Sequence, residues 1–152
     1  MAKSETRIFR FQEGHSWKGV EREVYKSGQE EGRNWQGIVR QVIIGKSEEC
    51  TTFHLRYFEI TPGGYSSLEK HEHAHVVIAV RGHGRAILDA RTYELNPLDT
   101  VYVAPWTPHQ FQAASDEPFG FFCIVDSERD RPQAVSPTEA DAAQAAGPLG
   151  ES

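Results

Sequence analysis

Residues 63–82 read Gly-Gly-Tyr-Ser-Ser-Leu-Glu-Lys-His-Glu-His-Ala-His-Val-Val-Ile-Ala-Val-Arg-Gly. Four potential metal ligands alternate with other residues in this stretch: Glu69, His71, His73 and His75. Successive side chains of a β-strand point to opposite faces, so the four would share one face. A solvated surface strand or an affinity tag is the alternative, but the tract is internal and leads into the apolar residues 76–80. Because imidazole and carboxylate are common ligands of first-row metals, the stretch predicts a metal site.

A fifth candidate ligand, His109, lies outside this stretch. It ends the loop-like run Ala104-Pro105-Trp106-Thr107-Pro108-His109 and is the first residue of a predicted strand at 109–113. The sequence thus offers a second segment that could reach the same metal.

The surrounding chain is a series of short runs rich in β-branched and aromatic residues, separated by Gly, Pro, Asn or Asp. These runs predict strands at 37–45, 51–60, 69–80, 85–88, 91–95, 100–104, 109–113 and 119–125. The second strand is expected to stop at Thr61-Pro62-Gly63-Gly64. Many short strands with regular turn signals predict an all-β sandwich or barrel.

The two ends of the chain differ from this pattern. We expect residues 1–36 to be an irregular extension packed on a barrel of residues 37–127 through scattered aromatic side chains. Residues 128–152 should hold a short helix and a flexible tail, because Ser136-Pro137-Thr138-Glu139 is a capping box before the Ala-rich run Ala140–Ala146.

Composition excludes several classes of function. The 152 residues carry a formal charge of −6, without a basic stripe, which disfavours nucleic-acid binding. No apolar run approaches the roughly 18 residues of a membrane span, and no signal-peptide core is visible, so a cytoplasmic protein is expected. Cys50 and Cys123 form no CxxC pair, and reduced thiols are expected, with Cys123 buried.

The chain resembles the cupins, small double-stranded β-helix or jelly-roll barrels. Their first motif reads G-x5-H-x-H-x3(or 4)-E-x6-G, and Gly63, Glu69, His71, His75 and Gly82 fit its spacing throughout. Glu and His have exchanged places relative to the motif. Of the second motif, G-x5-P-x-G-x2-H-x3-N, only the ligand position is kept, as His109.

The resemblance implies a metal held by Glu69, His71, His75 and His109. Three imidazoles and one carboxylate suit a single divalent transition metal, whether Fe, Mn, Ni, Cu or Zn. On a straight strand residues 69 and 75 would be about 20 Å apart, so the chain must turn between His71 and His75. His73 is then a pocket residue available for proton transfer near neutral pH.

A second ligand assignment is open. If the turn is displaced, His71 and His73 form the HxH pair with His109 as third ligand, and Glu69 or His75 lies behind them.

Several further side chains are candidates for the substrate pocket. Arg40, His54 and Arg56 lie on predicted strands and could bind a substrate carboxylate, although arginines in such places are more often at the surface. The aromatic candidates for the cavity wall are Tyr102, Trp106 and Phe111.

These observations favour a metal-dependent enzyme acting on a small, anionic or carbonyl-bearing molecule. A dioxygenase, an oxidoreductase by class, is the first expectation, since open Fe(II) positions beside His and carboxylate ligands suit O₂ activation. A lyase, isomerase or hydrolase using the metal as Lewis acid, and a non-catalytic binding or sensing module, are the alternatives. The resemblance also implies a homodimer.

Overall fold

The structure is a computed structural model and describes residues 4–26, 34–45 and 49–144. In these ranges the chain forms thirteen strands and one helix. The strands are β1 Phe11–Gln12, β2 Ser16–Trp17, β3 Glu23–Val24, β4 Gln36–Ile44, β5 Phe53–Tyr65, β6 Glu69–Lys70, β7 His75–Arg81, β8 Gly84–Leu88, β9 Arg91–Leu95, β10 Thr100–Val103, β11 His109–Ala113, β12 Phe119–Asp126 and β13 Gln133–Ala134. The helix is α1 Pro137–Gln144.

Strand pairing is antiparallel throughout the described residues. β1 and β2 form a separate hairpin, and the remaining eleven strands form one sheet with the order β10-β7-β12-β5-β11-β6-β13. β4 and β3 extend from β5, whereas β8 and β9 extend from β11. The sheet curls on itself, which confirms the predicted all-β jelly-roll barrel.

The interior follows from strict alternation along the central strands. In β7, His75, Val77 and Ala79 are buried and the residues between them are less so. The opposing strand β12 buries Phe121, Cys123 and Val125 in the same way.

An aromatic cluster fills much of this interior. The ring of Phe121 lies 5.5 Å from Phe58, 5.0 Å from Phe111 and 5.4 Å from Phe119. Burial of such a side chain contributes about 1.5–3 kcal/mol, so the cluster is a main source of stability. Phe58, Phe111 and Phe121 also form one wall of a cavity in the barrel.

The expected end of the second strand is wrong. β5 continues through Thr61–Gly64 to Tyr65, which pairs with both Gln36 and Gln112. Gly63 takes a positive φ of 77° that glycine tolerates, and its amide donates to the Ala114 carbonyl at 2.9 Å. A bend therefore occurs inside the strand, where the sequence predicted its end.

The predicted strand over residues 69–80 is interrupted. It divides into β6 and β7, and residues 71–74 form a bend between them. The expected turn between His71 and His75 is thus confirmed, although the segment contains neither Pro nor Gly.

Aromatic contacts join the N-terminal segment to the sheet. Trp17 packs edge-on against Tyr57 at 5.0 Å, and Tyr25 packs against Phe58 at 5.9 Å. Val24 in β3 pairs with Val39 in β4. The boundaries at residues 36 and 127 stay predictions.

The C-terminal helix begins with the predicted capping box. The Glu139 amide donates to Ser136 Oγ at 3.2 Å, and the Ser136 amide donates to Glu139 Oε1 at 2.9 Å. The last expected helical residues, 145 and 146, and the expected flexible tail lie outside the described residues. Within the described ranges, no helix has the length and apolar character needed to cross a membrane.

Candidate metal centre

Three buried histidines meet inside the barrel. The ligand nitrogens of His71, His75 and His109 all lie within 4.8 Å of one another. The Nε2 atoms of His75 and His109 are 3.3 Å apart. Three converging imidazoles are a suitable donor set for a divalent transition metal. For these histidines the structure matches the first of the two sequence-based assignments.

The fold brings the histidines together from three places in the chain. His71 follows β6, His75 begins β7 and His109 begins β11. The bend at residues 71–74 brings the rings of His71 and His75 closer together than a straight strand would. The Trp106 amide donates to the His71 carbonyl at 2.8 Å, which ties the loop before His109 to the same bend.

Hydrogen bonds to carbonyl groups set the orientation of two of the rings. His71 Nδ1 donates to the His73 carbonyl at 2.7 Å, and His109 Nδ1 donates to the Thr107 carbonyl at 2.8 Å. A carbonyl oxygen only accepts, so Nδ1 carries the proton in both rings and Nε2 keeps its lone pair. Fixing the outer nitrogen in this way is a common feature of metal-binding histidines.

The third ring has a sulfur neighbour. His75 Nδ1 lies 3.1 Å from Sγ of the buried Cys123. With its Nδ1 so engaged, His75 presents Nε2 to the Nε2 of His109. At that separation either a proton on one Nε2 or a cation between the two nitrogens can link the rings, so the pair can hold a metal when His75 carries its proton on Nδ1.

Burial keeps the three imidazoles neutral. Desolvation, followed by the proximity of His109, lowers the pKa of His71 to about 4 and that of His75 to about 2. Desolvation also lowers the pKa of His109. Neutral imidazoles at pH 7 are the form that binds metals, so no proton must be displaced there.

The predicted fourth ligand, Glu69, lies at the same cavity but has other partners. Glu69 pairs with His109 across β6 and β11. Its Oε2 accepts from Ser67 Oγ at 2.9 Å and forms an ion pair with Lys26. A metal contact would require the carboxylate to use its second oxygen or turn inward. Its role as a ligand stays a prediction.

His73 is held beside the three histidines by an acidic neighbour. Its ring stacks on His71 with centroids 3.7 Å apart, and its Nδ1 lies 2.8 Å from Asp130 Oδ1. The carboxylate of Asp130 also accepts from the amides of Glu72 and His73 at 2.8 and 3.0 Å. These hydrogen bonds hold the pKa of Asp130 well below its usual range. His73 lines the cavity, and its proposed proton transfer is untested.

The cavity beside the histidines has a volume of about 520 Å³. Its lining includes both aromatic and positively charged side chains. Arg56 Nη2 donates to Cys123 Sγ at 3.2 Å, so Cys123 lies between this guanidinium and His75. Such a cavity can enclose a small anionic molecule next to a metal.

The predicted pocket residues fall into two groups. Arg40, Arg56 and Phe111 line the cavity. Tyr102 and Trp106 are absent from the lining, and their exposed fractions are 67% and 45%. The prediction that Tyr102 and Trp106 form part of the cavity wall is therefore wrong.

Strand phase and turn geometry each explain one of these corrections. Val101 and Val103 face inward, which turns the intervening Tyr102 outward. Trp106 occupies a turn with a positive φ of 62°. His54 is not part of the lining, and its Nδ1 lies 3.2 Å from Arg129 Nη1.

Sequence reasoning missed several residues of the site: Tyr25, Lys26, Ser67, Cys123, Arg129, Asp130 and Arg131. The charged run Glu128-Arg129-Asp130-Arg131, separated by two residues from the last predicted strand, was the available signal for three of them. No comparable pattern distinguishes Tyr25 or Ser67.

Comparison with known proteins identifies relatives of the whole chain. A family model described as a cupin domain, Cupin_2, matches residues 56–125. The 1-methylthio-D-xylulose 5-phosphate methylsulfurylase of Rhodospirillum rubrum is 43% identical over 141 residues, which cover 92% of this chain and 86% of that protein.

Solved structures agree with this result. A cupin-2 domain protein from Rhodospirillum rubrum superposes with a TM-score of 0.76 at 40% identity, covering 89% of this chain and 88% of the other. A cupin 2 conserved barrel protein from Rhodopseudomonas palustris gives a TM-score of 0.79 at 32% identity, covering 89% and 90%.

Proposed function

The chain belongs to the cupin superfamily, and from this premise we propose that it is a metal-dependent enzyme acting on a methylthio-substituted keto-sugar phosphate. The substrate that we propose is 1-methylthio-D-xylulose 5-phosphate. The observation that carries the proposal is the 43% identity, over 92% of the chain, to the methylsulfurylase of Rhodospirillum rubrum. The three buried histidines at a cavity of about 520 Å³ support it.

The substrate's own structure indicates what the site must do. Xylulose is a 2-ketose, so the methylthio group on carbon 1 is next to the carbonyl carbon. In the reaction that we propose, a thiol co-substrate attacks the methylthio sulfur, and the sulfur–sulfur bond forms as the bond from carbon 1 to sulfur breaks. The electron pair stays on carbon 1, delocalised toward the carbonyl, and a proton is added there. The thiol is oxidised to a mixed disulfide, and the sugar carbon is reduced.

Each part of the cavity has a role in this scheme. His71, His75 and His109 would hold a divalent metal, which would supply Lewis acidity for the sugar carbonyl. His73, oriented by Asp130, carries the proton that carbon 1 receives. The aromatic wall of Phe58, Phe111 and Phe121 offers an apolar surface to the methylthio group and excludes water.

The test is an assay of the metal-reconstituted protein with 1-methylthio-D-xylulose 5-phosphate and the monothiol 2-mercaptoethanol. Proton NMR of the S-methyl group should show its transfer from the sugar to the thiol. His75→Ala should abolish this transfer, whereas His83→Ala, at an exposed histidine outside the cavity, should leave it intact. A stable S-methyl signal with each of Fe, Mn, Ni, Cu and Zn would reject the proposal.

The reaction classes expected from the sequence give different results in the same assay. A dioxygenase would consume O₂, and its reaction would stop under anaerobic conditions. An isomerase would change the sugar signals while the methylthio group stayed on carbon 1. A binding module would show substrate binding in titration without any product.

A further inference from the structure

The cavity is positively charged inside a negatively charged protein. The chain carries a formal charge of −6, yet one carboxylate and five cationic side chains line the cavity. The charged lining residues are Lys26, Arg40, Arg56, Glu69, Arg129 and Arg131. Lys26 and Glu69 pair with each other, which leaves the guanidinium groups without a carboxylate in the lining. Such a concentration of one sign attracts anions.

Three of the arginines converge from adjacent elements. Arg40 is in β4, and Arg56 is in the neighbouring strand β5. Arg40 pairs with Phe58 of β5, and both side chains line the cavity. Arg129 follows β12, and its Nη1 donates to the carbonyls of Asp126 and Ser127 at 2.8 and 3.3 Å. The position of each guanidinium is therefore set by a strand or by backbone contacts.

The mutual effects of these charges show that they lie close together. Partial burial and the charges of Arg56 and Arg40 lower the pKa of Arg129. Clustered like charges destabilise the fold unless a counter-charge is bound. A bound anion would relieve this repulsion.

The same guanidiniums have unused hydrogen-bonding capacity. The Nε atoms of Arg40 and Arg56 are buried and have no hydrogen-bond partner among the residues that the structure describes. Arg40 Nη2 forms a long ion pair with Glu23 at 4.0 Å, and Arg56 donates to the thiol of Cys123, a weak acceptor. Under-satisfied guanidiniums of this kind suit the oxygen atoms of a phosphate.

The distance to the metal centre fits a short substrate. Arg56 Nη2 and His75 Nδ1 both contact Cys123 Sγ, so they are separated by no more than two hydrogen-bond lengths. A small sugar phosphate therefore has only a short distance to span between Arg56 and the histidines.

We propose that Arg40, Arg56 and Arg129 form a phosphate-binding subsite that selects phosphorylated sugars and orients them toward His71, His75 and His109. The assignment rests on the proposed function for its choice of ligand. Three guanidiniums match the charge and the three terminal oxygens of a phosphomonoester dianion better than a carboxylate, which has one charge and two oxygens.

The test is calorimetric titration of the metal-reconstituted protein with D-xylulose 5-phosphate, which lacks the methylthio group, and with D-xylulose. The phosphorylated sugar should bind at least tenfold more tightly. Arg40→Gln and Arg129→Gln should each weaken its binding about tenfold or more without changing the binding of D-xylulose. Arg91→Gln, at an exposed arginine outside the cavity, is the matched control and should have no effect.

Several results would overturn the subsite. These are equal affinity for the two sugars, unchanged phosphate-sugar binding in both variants, or equally tight binding of the sugar acid D-xylonate. Arg56→Gln removes the guanidinium that donates to the buried Cys123, so this variant is interpreted only after thermal unfolding shows that it is folded.

The subsite and the reaction can fail separately. If D-xylulose 5-phosphate binds with the expected arginine dependence but the methylthio sugar is not turned over, the subsite stands and the proposed reaction is wrong. If turnover occurs with an unchanged kcat/KM in Arg40→Gln and Arg129→Gln, the reaction stands and the subsite is wrong.

Discussion

Individual imidazoles carry most of the chemistry of this protein, and their neighbours decide how they act. Carbonyl groups fix the protons of His71 and His109 on Nδ1, and a thiol lies at Nδ1 of His75. Asp130 holds the fourth ring, His73, beside them. Four similar side chains are thus separated into three candidate ligands and one candidate proton carrier by their hydrogen-bond partners.

The buried histidines predict acid sensitivity of the metal-free protein. The pKa of His71 is lowered to about 4 and that of His75 to about 2, whereas the unfolded chain titrates near the ordinary value of 6.5. The unfolded state therefore binds more protons below pH 6.5. The stabilisation is present above that pH and is lost as the pH falls toward the folded-state values.

Urea unfolding in the presence of EDTA measures this effect. Between pH 7 and pH 5 we expect the unfolding free energy to fall by about 2 kcal/mol for each fully buried imidazole, from the pKa difference. His71→Gln should reduce the fall. His83→Gln should not, because the pKa of this exposed histidine is raised by Glu117. A pH-independent unfolding free energy would contradict the prediction.

At the level of elements, the bend between β6 and β7 is held by the segment after β12. Asp130 accepts hydrogen bonds from the amides of Glu72 and His73 and contacts the His73 ring. Asp130→Ala should loosen the bend that places His71 and His75, and lower metal affinity about tenfold or more. Titration with Zn²⁺ measures the affinity.

The matched control is Glu128→Ala, an exposed acidic residue of the same segment. It removes the same charge without touching the bend. Equal metal affinities in Asp130→Ala and Glu128→Ala would show that the bend keeps its shape without the aspartate.

Gly63 and Gly82, at the two ends of the histidine-containing stretch, have different surroundings. Both have positive φ, 77° at Gly63 and 66° at Gly82. A Cβ at Gly82 would lie 2.0 Å from the Pro118 carbonyl oxygen, whereas one at Gly63 would meet nothing within 4 Å. Gly63→Ala should cost about 1 kcal/mol of backbone strain, and Gly82→Ala clearly more because backbone must shift. Chemical denaturation of the two variants tests this, and equal losses would contradict it.

For the whole molecule, metal binding should be linked to folding. The three candidate ligand histidines come from three separate segments of the chain, so the unfolded chain has no equivalent site and a metal would stabilise the folded state alone. At 100 times the dissociation constant the gain is about 2.7 kcal/mol, which for a chain of this size raises the Tm by roughly 5–10 °C. Calorimetry with EDTA and then with Fe, Mn, Ni, Cu or Zn measures it. An unchanged Tm with all five would argue against the site.

The homodimer expected from the cupin resemblance is a second property of the whole molecule. Sedimentation equilibrium should give twice the chain mass of 17.1 kDa. A mass equal to one chain at micromolar concentration would show that the prediction is wrong.

The sequence alone determined the barrel, because alternating strands and regular turn residues are local signals that leave few other ways to bury the apolar faces. It also identified His71, His75 and His109, since the glycine and histidine spacing of residues 63–82 is itself a local pattern. It did not separate the competing roles of His73 and His75. That distinction depends on Asp130 and Cys123, which are far away in the chain.

Only the tertiary structure decided which side chains share the cavity. Strand phase turned Tyr102 outward, and the turn at Trp106 put that ring at the surface. Curling of the sheet brought Arg40, Arg56 and Arg129 to the same cavity from three segments of the chain. The physical reason is that a side chain's position along its strand is encoded locally, whereas its neighbours across the barrel depend on register and closure, which no single segment specifies.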